Sequence, residues 1–118
     1  MLSLYRLVSG PLGAPLIAAF IRRRLAAGKE DAMRFAERQG EASLPRPGAG
    51  RLIWVHAASV GESLSMLPLI EYLLAADAGL ALLLTTGTVS SAQLMAERLP
   101  PRAIHQYAPL DRPVYVRR

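Results

Sequence analysis

The chain has 118 residues, a hydrophobic fraction of 52%, no cysteine and a net charge of +5 at pH 7. This length allows one domain, and the hydrophobic fraction is too high for an intrinsically disordered chain. The absence of cysteine excludes a disulfide framework and a thiolate metal site. The excess positive charge lies in residues 1–46, which carry eight basic and four acidic side chains.

Residues 7–21 form an apolar segment, which is followed by the basic residues Arg22, Arg23, Arg24 and Lys29. The segment is interrupted by glycines and prolines and is shorter than the roughly 20 apolar residues that a spanning helix needs. Arginines beside an apolar segment are attracted to anionic lipid. We therefore predict that residues 1–29 associate with a membrane surface. The alternative is a helix that packs its apolar side on the rest of the protein and leaves the arginines in water.

The rest of the chain alternates between strand and helix patterns. Residues 30–43, EDAMRFAERQGEAS, have the composition of a mainly polar helix that ends near Gly40, and LPRPGAG then reads as a linker. The predicted strands RLIWV, LALLLTT and AIHQYAP alternate with the predicted helices ESLSMLPLIEYLLAAD and TVSSAQLMAERL, with Pro68 close to the first turn of the former. Such alternation indicates an α/β fold with a parallel sheet and right-handed crossovers, half of a Rossmann-like domain.

Both strand-to-helix turns carry small and polar residues. The turns read VHAASVGES and TTGTVSSA. In open α/β sheets, ligands bind outside the carboxyl ends of the strands, where helix N-termini present free N–H groups. Glu62, at the start of the first of these helices, is therefore a candidate reagent. The other candidate ligand-binding residues of the two turns are Ser59, Gly61, Thr85, Thr86 and Thr88.

The same residue types are also the ordinary capping residues of helix N-termini, so capping and catalysis both remain open. Neither turn contains the dinucleotide fingerprint or a P-loop. His56 considered alone is more often a hydrogen-bonded structural residue than a general base or a metal ligand. With two histidines in the chain, a metal site would also need carboxylates, and their spacing does not suggest one. We predict neither a metal site nor a cofactor.

Three motifs considered together resemble a known family. The sequences RLIWVHAASVGES, LLLTTGTVSSA and HQYAPLD occur in this order and resemble the 3-deoxy-D-manno-octulosonic acid (Kdo) transferases of lipopolysaccharide synthesis. The resemblance includes the apolar segment, the basic cluster and the ERQG of residues 37–40, and it continues to VYVRR. It implies a GT-B glycosyltransferase, with two Rossmann-like domains, on the cytoplasmic side of the inner membrane. Residues 30–118 would then be part of the N-terminal, acceptor-side domain, and we expect the C-terminal donor-binding domain to be absent.

The resemblance also implies a reaction and its participants. Kdo would be transferred from CMP-Kdo to a lipid A precursor (lipid IVA), with inversion and without a metal, and Glu62 matches the proposed catalytic base. Ser59 and Gly61 would shape its turn. Arg38 would face an anionic lipid head group, although a solvated helix face is the alternative for this residue.

The expected partners are CMP-Kdo, which would bind through the missing domain, the lipid A precursor and anionic membrane lipid, and no nucleic acid is expected. We expect the fragment alone to be inactive as a glycosyltransferase. The alternative function is that of a non-catalytic membrane-surface or interaction module derived from such an enzyme.

Overall fold

The computed structural model describes residues 13–111 and 113–117. Helices and strands follow one another in these residues as α1 (Gly13–Ala26), α2 (Phe35–Arg38), β1 (Leu52–Ala57), α3 (Val60–Ala76), β2 (Ala81–Thr86), α4 (Val89–Arg98), β3 (Ala103–Tyr107) and α5 (Pro113–Val116). They belong to two compact units. The first unit contains the described residues of Met1–Glu41 and Pro109–Arg118, and the sheet unit is Ala42–Ala108. The predicted boundary after residue 29 falls inside the first unit.

The sheet unit is built on three parallel strands in the order β1-β2-β3, which confirms the predicted parallel α/β sheet. β2 is the central strand, and five of its six residues are buried. This burial explains its continuous apolar run, because a central strand of a parallel sheet needs apolar side chains on both faces. Helices α3 and α4 connect the strands and contact each other. Crossovers between parallel strands are right-handed almost without exception, and two of them in the same direction place both helices on one face of the sheet.

The core of the sheet unit lies between the sheet and these two helices. Side chains alternate between the faces of a strand, so every second residue of β1 and β2 points toward the helices. The buried cluster consists of Ala57, Ile70, Leu74, Leu80, Leu82, Leu84 and Met95. The opposite face of the sheet carries Trp54, His56 and Thr85, and the register pairs His56 with Thr85.

Helix α3 begins two residues earlier than the sequence pattern predicts. Its N-cap is Ser59, so Pro68 lies in the helix interior instead of close to the first turn. Proline lacks an N–H group, and the i→i−4 hydrogen bond to Leu64 is therefore missing. Both Leu64 and Pro68 are exposed, so water can satisfy the carbonyl of Leu64.

The predicted polar helix over residues 30–43 is wrong, because the helical part of this range is limited to α2, Phe35–Arg38. Asp31 Oδ1 accepts hydrogen bonds from the N–H groups of Met33 (3.0 Å) and Arg34 (3.3 Å), which makes a side-chain-stabilised turn where a helix would run. Gly40 has a positive φ of 79° and ends the segment. Met33, a large apolar residue of this range, is 96% exposed.

Helix α1 covers the second half of the predicted membrane segment, and residues 1–12 lie outside the described part of the chain. Leu16 and Phe20 are 68% and 53% exposed, and Arg22 and Arg23 are also exposed. Across residues 13–111 and 113–117, each helix is too short or too polar to cross a membrane.

We expect Ile70→Ala to lower the free energy of unfolding by about 2–5 kcal/mol, because it removes a side chain with no exposed surface and leaves a cavity. The neighbouring Leu69 is 46% exposed, so Leu69→Ala is a matched control that should cost about 0.5 kcal/mol or less. Urea unfolding of the two variants and the wild type measures the difference. Equal losses in the two variants would contradict the position of the core.

Candidate functional site

The two predicted turns lie side by side at the end of the sheet where the parallel strands finish, which we call the carboxyl edge. β1 and β2 are parallel, and their last residues, Ala57 and Thr86, are paired in the register. Helix α3 starts directly after β1 and helix α4 directly after β2, so both helix N-termini are at this edge. This edge is where open α/β sheets bind their ligands.

The first turn holds Glu62 by a capping arrangement that leaves part of its carboxylate accessible. Ser59 is the N-cap of α3, and its Oγ accepts a hydrogen bond from the N–H of Glu62 (3.2 Å). In return, Glu62 Oε2 accepts a hydrogen bond from the N–H of Ala58 (2.7 Å). This reciprocal pair is close to a capping box. Glu62 is exposed, and its Oε1 has no hydrogen bond to any residue that the structure describes. The carboxylate is therefore fixed through one oxygen and open through the other.

Gly61 and Gly87 leave open space at the two turns. A methyl group added at either position would meet no atom within 4 Å, apart from neighbouring backbone. Gly61 also lies inside α3 rather than in a tight turn before it, and its φ is not positive. The space beside these glycines is consistent with the approach of a ligand, but a contact of Gly61 with substrate stays a prediction.

The second turn is fixed by a buried network of hydroxyl groups. Thr88 is the N-cap of α4, and its Oγ1 accepts from the N–H of Ser91 (3.2 Å). Ser91 Oγ lies 2.6 Å from Thr88 Oγ1 and 2.8 Å from Thr86 Oγ1. Thr86 Oγ1 in turn lies 2.7 Å from Nε2 of His105, a buried histidine of β3. The network joins the start of α4 to two strands.

His105 also packs against Tyr107 in an edge-to-face arrangement, with ring centroids 5.5 Å apart. The sequence HQYAPLD therefore supplies two buried side chains, His105 and Tyr107, to the helix-facing side of β3.

Thr85 is buried on the other face of the sheet, where two ring nitrogens contact its hydroxyl group. Trp54 Nε1 donates to Thr85 Oγ1 at 2.9 Å, and His56 Nδ1 lies 3.1 Å from the same oxygen. Thr85 and Thr86 are 3% and 0% exposed, and both hydroxyl groups are hydrogen-bonded within the protein. Direct binding of an acceptor by Thr85, Thr86 or Thr88 stays a prediction.

Arg38 lies in the first unit, in a group of buried ion pairs. Its guanidinium donates to both oxygens of Glu30, at 3.3 and 3.1 Å, and Arg24 Nε donates to Glu30 Oε1 at 2.7 Å. Arg34 makes a similar bidentate pair with Glu37, at 3.0 and 2.9 Å. Arg38 is 8% exposed, so it does not lie on a solvated helix face. Its contact with a lipid head group stays a prediction.

A cavity of about 660 Å³ lies at the opposite end of β1 from the two turns. Its lining includes Arg51, Ile53 and Leu73, together with Asp77, whose carboxylate forms an ion pair with Arg51. The hydrogen bonds from the Arg51 guanidinium and the Gly79 N–H hold the pKa of Asp77 below its ordinary value. Among the described residues, no three His, Asp or Glu side chains are grouped to hold a metal ion.

The parallel sheet and the two capped turns at its carboxyl edge define an α/β protein of the class that binds ligands at that edge. Residues 21–118 match the family described as 3-deoxy-D-manno-octulosonic-acid transferase (kdotransferase). The chain belongs to this family of glycosyltransferases.

Individual relatives agree with this assignment. The chain is 41% identical over 105 residues to a protein of Arabidopsis thaliana named a probable mitochondrial 3-deoxy-D-manno-octulosonic acid transferase, a match that covers 89% of the chain and 23% of the relative. It is 37% identical over 117 residues to the 3-deoxy-D-manno-octulosonic acid transferase of Rickettsia bellii, covering 99% of the chain and 28% of the relative.

The transferase of Haemophilus influenzae is 34% identical over 107 residues, covering 88% of the chain and 24% of that relative. The chain thus spans about a quarter of the length of these relatives. No solved structure matches it significantly.

We expect Ser91→Ala to lower the free energy of unfolding by about 1–3 kcal/mol, because it removes the hydroxyl that bridges Thr86 and Thr88 in a buried position. Ser90 is the adjacent residue and is exposed, so Ser90→Ala should change the stability by about 0.5 kcal/mol or less. Thermal or urea unfolding of both variants checks this difference. A Ser91→Ala variant as stable as the wild type would show that the network does not stabilise the turn.

Proposed function

We propose that this chain is the N-terminal, acceptor-side part of a Kdo transferase that transfers Kdo from CMP-Kdo to a lipid A precursor such as lipid IVA. Its membership of the kdotransferase family supports this proposal. The fold would be the first part of a GT-B glycosyltransferase, and the donor nucleotide would bind to a second domain. The chain spans about a quarter of its relatives, and we expect it to be inactive by itself.

The observation that carries the mechanism is the exposed carboxylate of Glu62 at the carboxyl edge of the sheet. An inverting transfer needs one group to accept the proton of the acceptor hydroxyl as that hydroxyl attacks the anomeric carbon. Glu62 Oε2 is fixed by the N–H of Ala58, while Oε1 is open to a substrate. The ionised form of a carboxylate is the form that can accept a proton. CMP leaves as a stabilised anion, so a second acidic group is not required.

The capping arrangement and a catalytic role do not exclude each other. The hydrogen bond from Ala58 uses one carboxylate oxygen, and the N–H of Glu62 is bound by Ser59. Both interactions restrict the rotation of the side chain, and an oriented base loses less entropy when it meets its substrate. Ser59 would therefore act by positioning Glu62.

The first unit would hold the enzyme on the cytoplasmic side of the inner membrane. Leu16 and Phe20 are one helical turn apart and exposed on α1, so they can enter the apolar layer together. Arg22 and Arg23 are exposed and can interact with anionic lipid. Arg24 differs from these two, because its guanidinium is paired with the buried Glu30 and lies 5.4 Å from the centre of the Phe20 ring. Two of the three consecutive arginines are therefore the expected lipid contacts.

We expect Glu62→Gln to lower turnover by about 10²–10⁴-fold if the residue is the general base. The change keeps the size of the side chain and its hydrogen bond to Ala58, so the loss of stability should be limited to about 0.3–1 kcal/mol. The assay uses this chain joined to the remaining part of the Rickettsia bellii relative, with CMP-Kdo and lipid IVA as substrates.

Glu71 is exposed on the same helix, and Glu71→Gln is the matched control for loss of a carboxylate, with turnover expected near the wild-type value. A Glu62→Gln variant that retains more than about half of the wild-type turnover would end the general-base assignment.

We expect the double change Arg22→Gln and Arg23→Gln to weaken binding to phosphatidylglycerol vesicles by roughly 30-fold, since each arginine near an anionic surface contributes about 1 kcal/mol. Leu16→Ser with Phe20→Ser should also weaken binding, and this effect should persist in high salt, where the arginine effect is screened. Sedimentation with vesicles measures both. Arg98→Gln, on the exposed surface of α4, shows the effect of losing one positive charge away from α1. Unchanged binding in both double variants, or on deletion of residues 1–24, would exclude the proposed membrane contact.

A further inference from the structure

The hydroxyl group of Thr85 occupies a buried position between two aromatic rings, and this arrangement determines the state of one histidine. Thr85 is 3% exposed, and its Oγ1 contacts Trp54 Nε1 at 2.9 Å and His56 Nδ1 at 3.1 Å. The three residues belong to the paired strands β1 and β2, and the register places His56 opposite Thr85. They lie on the sheet face that points away from the helices α3 and α4.

The hydrogens that Trp54 and Thr85 carry fix the direction of both hydrogen bonds at Thr85 Oγ1. The indole nitrogen of Trp54 is a donor only, so Thr85 Oγ1 must accept from it. The hydroxyl hydrogen of Thr85 then needs an acceptor, because buried polar hydrogens are almost always bonded. Within the described part of the chain, the acceptor that faces this hydroxyl is His56 Nδ1. A nitrogen that accepts a hydrogen bond carries no hydrogen, so the neutral ring of His56 has its hydrogen on Nε2.

This assignment changes the chemistry available at the carboxyl edge of the sheet. His56 is exposed and is the last residue but one of β1, whose end leads directly into the turn that holds Glu62. Its Nε2 has no hydrogen-bond partner among the residues that the structure describes. With its hydrogen on Nε2, the neutral ring offers a donor to the solvent side and has no free lone pair there. The ring is thus suited to bind a ligand oxygen and unsuited to accept a proton or to bind a metal.

We propose that His56 is a substrate-binding residue that donates a hydrogen bond from Nε2 to an oxygen of the phosphorylated amino-sugar head group of the acceptor. The proposal rests on the proposed function, because that function supplies an acceptor of this chemistry. Trp54 and Thr85 are positioning residues in this arrangement, since their contacts at the Thr85 hydroxyl hold the tautomer and the orientation of the His56 ring. Glu62 and His56 then have complementary tasks, with the carboxylate accepting a proton and the imidazole donating a hydrogen bond.

The tautomer is tested by ¹⁵N NMR of the chain labelled at its histidines, at a pH well above the ordinary pKa of a histidine side chain. The chain has two histidines, so His56→Gln assigns the signals. We expect the His56 signals of the wild type to be those of a ring with its hydrogen on Nε2. In Thr85→Val the two tautomers should mix as in free imidazole. Ser90→Ala, an exposed hydroxyl on α4, should leave His56 unchanged. A wild-type His56 that has its hydrogen on Nδ1, or that matches Thr85→Val, would overturn the assignment.

Contact with the ligand is tested on the same labelled chain by adding glucosamine 6-phosphate, with glucosamine and inorganic phosphate as separate probes. We expect the first probe to shift the His56 Nε2 signal and to leave the signal of the buried His105 in place. A shift caused equally by inorganic phosphate would assign the recognition to the phosphate oxygen, and a shift by glucosamine would assign it to a sugar hydroxyl. The absence of any His56 shift with all three probes would overturn the contact.

The effect on the reaction is tested in the protein completed with the Rickettsia bellii segment. The amide nitrogen of a glutamine can reach the place of Nε2, whereas that of an asparagine reaches the place of Nδ1. We therefore expect His56→Gln to keep KM for lipid IVA within about threefold, and His56→Asn and His56→Leu to raise it about tenfold with a smaller effect on kcat.

The unsubstituted chain could show the NMR shift while the completed protein transfers no Kdo. This result would contradict the proposed function and leave the role of His56 intact. Transfer with equal KM in all three variants would contradict the role of His56 alone.

Discussion

The pairing of β2 on both of its edges is the constraint on which the sheet unit depends. Every residue of β2 has a partner in β1, and five have a partner in β3. Because all three strands are parallel, the chain must return along the same face of the sheet after each strand. Helices α3 and α4 therefore begin at one edge, and the two turns come together there. The side-by-side placement of the two turns follows from this topology and needs no contact between them.

The sequence was sufficient to predict the parts of the fold that repeat a local pattern. The apolar runs around Val55 and Leu82, and the spacing of Ile70 and Leu74, identify strands and a helix because burial alternates with a fixed period. The segment after Glu30 was mispredicted because its composition is helical while its hydrogen bonds are not. Glu30 pairs with Arg24, six positions before it, and with Arg38, eight positions after it, and neither spacing is the three or four residues of a helical side-chain pair. Ion pairs of this kind can be recognised only once the fold is known.

The candidate site shows the same division between local and non-local information. The caps at Ser59 and Thr88 were predictable, because capping depends on residue type within one turn. The contacts of Trp54 and His56 with Thr85 join residues 31 and 29 positions apart. They depend on the register of two parallel strands, which the sequence pattern does not specify. A signal was nonetheless present, since Trp54 and His56 occur at alternate positions of β1 and must share a face.

The first unit is assembled from two separate stretches of chain, and this has a consequence for synthesis. The N–H of Leu110 donates to the carbonyl of Arg38 at 2.8 Å, so the residues before the sheet unit are bonded to residues that follow it. On the ribosome, Arg38 emerges well before Leu110, and all three strands of the sheet are made in between. Domains usually complete their folding in the order of synthesis. Here the unit that is made first is the one that is completed last, because the stretch that contains Leu110 is made only after the whole sheet unit.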